Sequence, residues 1–303
     1  DGIKCLLMQD QNAAFSAYES GDALMIKDYP VQEITTMQKR PDYKSSPKLG
    51  ISYIAINNDL EEFKDPKVRE ALALALDRKY MAETITAGIN SPATGFIPTG
   101  VVDWDGSAWA DNITDKSVYY DNDNFDANLA KAKELLKEAG HENGAGLPTM
   151  SYTTNDAGLN KKVAEYLQQA WKELGINVEV NIVEWKSFIP QRRSGNYQIA
   201  RDGWVLDYND PSNLLECAYS TNGNNSSRYK NPEYDALLDK AAHETDAKTR
   251  FGYFHQAEEL LLKDAGVIPL MYQNETYLQK DNIKDSFYTS DGIWHFEYAD
   301  IAE

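Results

Sequence analysis

The stretch Leu159–Ile182, LNKKVAEYLQQAWKELGINVEVNI, decides the fold. Val163, Tyr166, Leu167, Ala170, Trp171 and Leu174 recur three and four apart, the spacing that lines one face of a helix. Gly175 then stops that helix, because glycine adopts the left-handed C-terminal conformation at little cost. Ile176, Val178, Val180 and Ile182 alternate with Asn177, Glu179 and Asn181, the pattern of a strand with one face turned inward. Upstream, Thr149–Thr153 reads as a short strand. Strand, helix and strand of this length imply a parallel pair with a right-handed crossover, and so an α/β fold.

Downstream, a helix over Lys186–Arg193 leads into Gln198–Pro211, QIARDGWVLDYNDP. This stretch opens as a strand at Ile199 and Ala200. It then places Arg201, Trp204, Asp207 and Asp210 close together and closes on Pro211. Arginine offers a planar fork of donors suited to a carboxylate. Tryptophan offers a flat apolar face with one donor. Aspartate receives an ammonium through a charge-assisted hydrogen bond. Together they suit the two ends of a small zwitterion. Ligands of open α/β sheets sit beyond the carboxyl ends of strands, where Arg201–Asp210 is expected. The alternative is a strand running into an acidic turn, with Arg201 and Asp207 merely solvated.

Toward the N-terminus, Ile3–Met8 reads as a strand, and Asp10 as the cap of a helix ended by Gly21. Val31, Ile34 and Met37 suggest a short helix. Lys39–Lys48, with Pro41 and Pro47, reads as a loop, and Ile51–Ile56 as a strand. Asp65-Pro66 starts a helix with a capping acid and an N1 proline. Arg69 and Arg78 are placed on it as partners for nearby acids. Gly88–Asn112 is loop-like, with Trp104 and Trp109 packed on the adjacent core. Asp126 is read as the cap of a helix buried through Leu129, Ala132, Leu136 and Ala139, followed by Gly140.

Toward the C-terminus, Gly223–Ser227 is a turn. Asn231-Pro232 and Asp246 each start a helix. His255 and Glu258 are placed on a helix surface. Val267–Tyr272 reads as a strand that Pro269 assigns to an edge or a bend. Aromatic residues punctuate Thr276–Glu303.

The totals bound the function. The 303 residues give room for about two domains, and 42% hydrophobic residues exclude disorder. No apolar run reaches the ~18 residues that a membrane-spanning helix needs. The chain opens DGIKCLLMQD, without an initiator Met or a signal-peptide pattern, and is expected to be a processed or cut product. A net charge of −18 argues against nucleic acid or an anionic membrane as partner. Cys5 and Cys217 have no metal-site spacing. No Gly-rich phosphate loop, HExxH or Gly-x-Ser-x-Gly occurs, and His141, His243, His255 and His295 are scattered. Glu179, Glu184, Asp202, Asp207 and Asp210 leave open a glycosidase-like carboxylate pair. No cofactor and no metal are expected.

The order of motifs is specific. DPKVREALALALDR (Asp65–Arg78), AKAKELLKEAG (Ala130–Gly140), Leu159–Val180, EWKSF (Glu184–Phe188), RDGWVLDYNDP (Arg201–Pro211), YKNPEYDALL (Tyr229–Leu238) and AEELLLKDAGVIPLMY (Ala257–Tyr272) resemble the peptide/nickel family of extracellular solute-binding proteins of ABC importers. The similarity is greatest to the oligopeptide-binding members and covers nearly the whole chain. It implies an α/β, periplasmic-binding-protein-like lobe of type II, with a mixed sheet flanked by helices, plus partial segments of the other lobe. Residues 50–274 would be the second, ligand-binding lobe. Residues 1–49 would be a residual segment of the first lobe, and 275–303 the return to it.

What the resemblance implies for function is a non-catalytic protein that captures short peptides in an inter-lobe cleft for delivery to the permease subunits of an ABC transporter. It would be a monomer outside the cytoplasm, in the periplasm or as a cell-surface lipoprotein. By the same resemblance Asp207 accepts the peptide α-ammonium and Arg201 serves carboxyl-terminal recognition. Trp204 and Trp185 wall side-chain pockets, and Tyr53 and Tyr272 line the cleft. The peptide backbone would be held by strand-like main-chain bonds. There are departures: Asn160 stands where relatives have a histidine, Thr86 where they have a lysine and Ala55 where they have an acid. Gly50 and Val205 stand where some relatives have a disulfide. Length preference therefore does not transfer. A dipeptide, nickel chelate or oligosaccharide is the alternative ligand, and a hydrolase with paired carboxylates the alternative class.

Overall fold

The computed structural model describes residues 2–8, 10–27, 29–30 and 33–302. In chain order the elements are α1 (Gln11–Ser20), β1 (Met25–Ile26), α2 (Ile34–Met37), β2 (Tyr43–Ile56), α3 (Pro66–Leu74), α4 (Arg78–Tyr80), β3 (Ser91–Pro92), α5 (Phe125–Glu138), β4 (Met150–Asn155), α6 (Asn160–Lys172) and β5 (Val178–Val183). They continue with α7 (Trp185–Ser194), β6 (Ile199–Val205), α8 (Ser212–Leu215), α9 (Pro232–His243), α10 (Ala247–Lys263), β7 (Ile268–Gln279), β8 (Ile283–Lys284), β9 (Phe287–Tyr288), β10 (Trp294–His295) and β11 (Asp300–Ile301). Two compact units emerge, Leu49–Gln273 and a smaller one made of Asp1–Lys48 with Asn274–Glu303.

The larger unit is built on a mixed sheet in the order β7-β2-β6-β4-β5, with β3 against β7. β4 runs parallel to both β5 and β6, and β2 runs antiparallel to β6. The apolar stripe of α6 explains its seat. Val163, Ala164, Leu167, Ala170 and Trp171 are buried, and the Trp171 indole donates to the Leu72 carbonyl of α3 at 2.9 Å. Gly175 is obligatory: its φ is +76°, and a Cβ there would lie 2.1 Å from the Asn143 carbonyl oxygen. Asp65, Asn231 and Asp246 cap α3, α9 and α10 by accepting backbone N–H bonds, as their sequence positions predict.

Several expectations need correction. Asn124, not Asp126, stands at the start of α5, and Asp126 lies in the first turn. Ile182 lies one residue before the end of the outermost strand and is 40% exposed, so the inward alternation lapses there. Pro269 sits at the start of β7, where a missing N–H costs least, and the short β3 pairs with β7 just beyond it, Pro92 opposite Met271. Arg69 and Arg78 pair with carbonyls rather than acids. Arg69 donates to Phe63 and Asp264 oxygens, and Arg78 donates to Pro269 and Ala73 while lying over the Tyr120 ring. Arg78 also begins α4, after α3 has ended.

The largest miss concerns α10. His255 and Glu258 are buried, not on a surface. Glu258 accepts from the Phe96 and Ile97 amides, both at 2.7 Å, from the Trp109 indole at 2.6 Å and from the Tyr119 hydroxyl at 2.7 Å. Burial pushes its pKa up against these donors. His255 stacks on Trp109 and pairs with Asp103 at 2.7 Å. The loop-like segment is thus fastened to α10 by side chains far away in sequence. Trp109 is buried as expected, whereas Trp104 is 43% exposed under Lys248.

The smaller unit is capped at α1 by Asp10 and closed by Gly21, as read. Residues 3–8 form no strand; Leu7 is 99% exposed, so nothing pairs or buries it. The expected loop at 39–48 is half wrong, since Tyr43 onward belongs to β2 and Lys48 pairs with Glu275 at 3.0 Å. Ile34 and Met37 are buried in α2, while Val31 lies outside the described residues. Asp42 is the polar centre. It accepts from the Tyr18 hydroxyl at 2.8 Å and from Arg40 at 2.9 Å, and the Arg40 bond leads in lowering its pKa to about 2. Trp294 packs between Tyr277 and Tyr288.

Two outcomes follow. Asp42 has a folded pKa below its unfolded value, so its contribution is present above the unfolded pKa and is lost as pH falls toward about 2. Asp42→Asn should lower stability at neutral pH and flatten its loss between about pH 4 and 2, read by denaturant titration across pH. Glu258→Gln turns an amide N–H₂ toward N–H donors and should cost roughly 2–5 kcal/mol by the same method; a loss below about 0.5 kcal/mol would contradict the fastening role.

Candidate functional site

The site grows from β6 and the turn after it. β6 is gripped by β2 over seven paired positions, from Gly50 opposite Val205 to Ile56 opposite Ile199. The strand runs through Val205, so Arg201 and Trp204 lie within it rather than beyond its end, where the sequence placed them. Successive strand residues face opposite sides. Arg201 therefore shares a face with Ile199 and Gly203, and Trp204 shares the other with Asp202 and Ala200. The pair that looked adjacent in the sequence is divided by the strand.

On Trp204's side the structure assembles a compact group. The Trp204 indole donates to Asn213 Oδ1 at 2.8 Å. The Asp207 amide donates to the same oxygen at 3.1 Å, and Asn213 Nδ2 donates to Asp207 Oδ2 at 3.4 Å. Asp207 is exposed, and among the described residues no lysine, arginine or histidine pairs with it. Its charge is thus uncompensated by the protein. Asp210 differs. It holds Arg250 through two bonds, at 2.7 and 3.1 Å, and accepts the Ser212 amide at 3.0 Å, which anchors the start of α8 to α10.

Beneath lies a buried ion pair. Asp202 meets Arg192 of α7 at 2.5 Å and also takes bonds from Tyr53 and Ser226 side chains. Burial is the leading influence on Asp202 and raises its pKa despite the arginine. The pair fixes α7, which starts at Trp185, to the strand that carries Trp204. Trp185 is 55% exposed and stacks on Phe188. Cys217 is buried close by, and desolvation pushes its thiol up to about 12.

On the opposite face Arg201 donates to Asn155 Oδ1 at 3.4 Å, and Asn160 donates to the same oxygen at 3.1 Å. No carboxylate of the described residues lies within ion-pair distance of Arg201. Burial lowers its pKa. A partly buried guanidinium without an acid has donors of the kind that suit a carboxylate.

Tyr53 sits opposite Asp202 across the β2–β6 ladder, whereas Tyr272 lies on β7. Each is buried, at 3% and 5% exposure. Tyr53 packs edge-on against Phe96 and bonds Asp202; the Tyr272 hydroxyl accepts from the Thr94 and Gly95 amides. In this chain both belong to the buried core of the larger unit. Sequence reasoning missed Asn213, Asn155 and the ion-pair role of Arg192. Asparagine after Asp-Pro is ordinary turn chemistry, and nothing in its spacing reveals three bonds to Trp204 and Asp207.

The described residues contain no cluster of three or more histidine, cysteine, aspartate or glutamate side chains that could hold a metal ion.

Residues 1–226 match the bacterial extracellular solute-binding proteins, family 5 Middle. Over 302 residues the chain is 29% identical to the dipeptide-binding protein DppE of Bacillus subtilis (strain 168), covering 99% of this chain and 54% of that protein. Over 274 residues it is 30% identical to the probable deoxycholate-binding periplasmic protein YgiS of Escherichia coli (strain K12), covering 89% and 47%. The structure of Haemophilus influenzae OppA in complex with RPPGFSPFR matches with a TM-score of 0.80 and 27% identity, covering 98% of this chain and 58% of that one. The chain spans about half the length of the curated relatives it matches. Its α/β architecture, a mixed sheet with flanking helices, is that of the periplasmic binding proteins.

Breaking the buried pair tests its structural role. Asp202→Ala leaves the largely buried Arg192 with only the Arg201 carbonyl, at 3.3 Å, and should cost roughly 3–5 kcal/mol in denaturant unfolding. A cost under about 1 kcal/mol would mean that α7 is held to β6 by packing alone.

Proposed function

The chain belongs to family 5 of the bacterial extracellular solute-binding proteins, and from that premise we propose that it serves as the substrate-binding component of an ABC importer, capturing short peptides. The observation that carries this reading is Asp207: an exposed carboxylate without an internal cation, oriented by Asn213 beside the Trp204 indole. An α-ammonium supplies the missing charge, and the two tryptophans supply apolar walls for side chains. Arg201 takes a carboxylate, and a ligand reaching both it and Asp207 crosses β6. That geometry suits an extended chain better than a compact zwitterion. Residues 49–273 are the ligand-binding lobe, and 1–48 with 274–303 are segments of the other.

The relatives' names support the peptide class without fixing the ligand, since one of them is named for deoxycholate. Peptides would be handed to permease subunits by a monomer outside the cytoplasm, with no chemical step. Against a hydrolase stand the engaged acids: Asp202 is held by Arg192 and Asp210 by Arg250, so neither is free for acid-base work.

Calorimetric titration of the full-length polypeptide with a mixed short-peptide library, free and N-acetylated, tests the proposal. Free peptides should bind at least a hundredfold more tightly than acetylated ones, about 2.8 kcal/mol. Asp207→Ala should weaken free-peptide binding by roughly 2–5 kcal/mol, because the ligand charge loses its partner. A loss below about tenfold, or equal binding of both libraries, would remove the role given to Asp207.

A further inference from the structure

Asn213 is placed to do more than close a turn. Its Oδ1 accepts from two donors, the Trp204 indole at 2.8 Å and the Asp207 amide at 3.1 Å. Those donors settle the amide's orientation. Reversed, the side chain would turn an N–H₂ group onto two N–H donors and lose both bonds. Nδ2 must therefore face Asp207, whose Oδ2 it meets at 3.4 Å. The single amide thereby fixes the ring plane of Trp204, the backbone at Asp207 and one carboxylate oxygen. The second oxygen, Oδ1, receives no bond from any described residue and is left for an incoming donor.

Asn213 is itself held. Its backbone N–H donates to the Asp210 carbonyl at 3.2 Å, and the Asp210 side chain accepts the Ser212 amide and grips Arg250 of α10. The Cys217 thiol donates to the Asn213 carbonyl at 3.7 Å. A continuous set of bonds thus runs from α10 through Asp210 and Asn213 to Asp207. Free side-chain rotation would otherwise let an exposed aspartate sample several rotamers, and ordering it is a cost that binding must overcome. A carboxylate already oriented avoids that cost.

The geometry points to Asn213 as a positioning residue that sets discrimination between free and blocked amino ends, by holding the Asp207 carboxylate and the Trp204 indole in one arrangement. This rests on the amine-capture reading given above. Asn213 touches no ligand atom in this scheme; it acts through Asp207 and Trp204.

The test compares the full-length polypeptide with Asn213→Ala, Asn213→Ser and Asp207→Ala. The ratio of affinities for a short-peptide library in free and N-acetylated form is measured for each by calorimetry. Trp204 emission is taken by difference against Trp204→Phe. Asn213→Ala should lower the free-to-acetylated ratio by about tenfold and shift the Trp204 emission. Asn213→Ser, whose shorter side chain cannot span both partners, should do the same and serves if the alanine variant does not fold. Asp207→Ala should abolish the ratio. An unchanged ratio in both Asn213 variants, with Asp207→Ala abolishing it, overturns the role of Asn213 alone. Equal weakening of free and acetylated peptides also overturns it, because that is the mark of a merely structural residue. A ratio that survives Asp207→Ala overturns the amine-capture reading and this inference with it.

Discussion

The pairing of β6 with β2 is the constraint on which the rest depends. Seven successive positions are matched, Gly50 with Val205 through Ile56 with Ile199. A slip of one residue would turn every β6 side chain to the other face. Asp202 would then leave Arg192 and Tyr53, and Trp204 would leave Asn213. Ile199 and Ala200, both fully buried, and the buried Asp202 hold the register from its two sides. An isolated charge in that position is too costly to misplace. The buried Asp202–Arg192 pair is therefore as much a register device as a source of stability, a role for which buried polar pairs are suited.

Charge is handled differently at different depths. The chain carries a net charge of −18, yet its buried acids are compensated. Glu258 has amide, indole and hydroxyl donors; Asp202 has Arg192; Asp103 has His255. Near β6 the pattern inverts on the surface. Asp210 is held by Arg250, while Asp207, three residues earlier, has only an asparagine. On the other face of β6, Arg201 has an asparagine and no acid. A cation-free acid and an acid-free cation on one strand and its following turn leave electrostatic demands that a ligand with both charges would meet.

Much of this was legible in the sequence because it rests on local rules. The apolar stripe of α6, the glycine stop at Gly175, the caps at Asp65, Asn231 and Asp246, and the parallel β4–β5 pair each follow from spacing and backbone chemistry. The misreadings occur where distant residues decide. Nothing local shows that Glu258 receives amides from residues 96 and 97, so a polar HQAE run looked like surface. Pro47 and Pro41 suggested a loop, but pairing along β2 overrode them after Tyr43. The site divides in the same way. Arg201, Trp204 and Asp207 are visible as residue types, whereas their separation by the strand and their connection through Asn213 are properties of the fold. Tyr53 and Tyr272 were chosen by resemblance, and their burial at 3% and 5% exposure has no local signal in the sequence.

The most direct test of the central claim is a crystal structure of the full-length polypeptide with a short peptide bound. The account predicts the peptide's terminal nitrogen within about 3 Å of the Asp207 carboxylate, with the Trp204 indole still on Asn213 and the chain passing over β6. A bound peptide whose amino end is held by any other group, with Asp207 left in solvent, would contradict it.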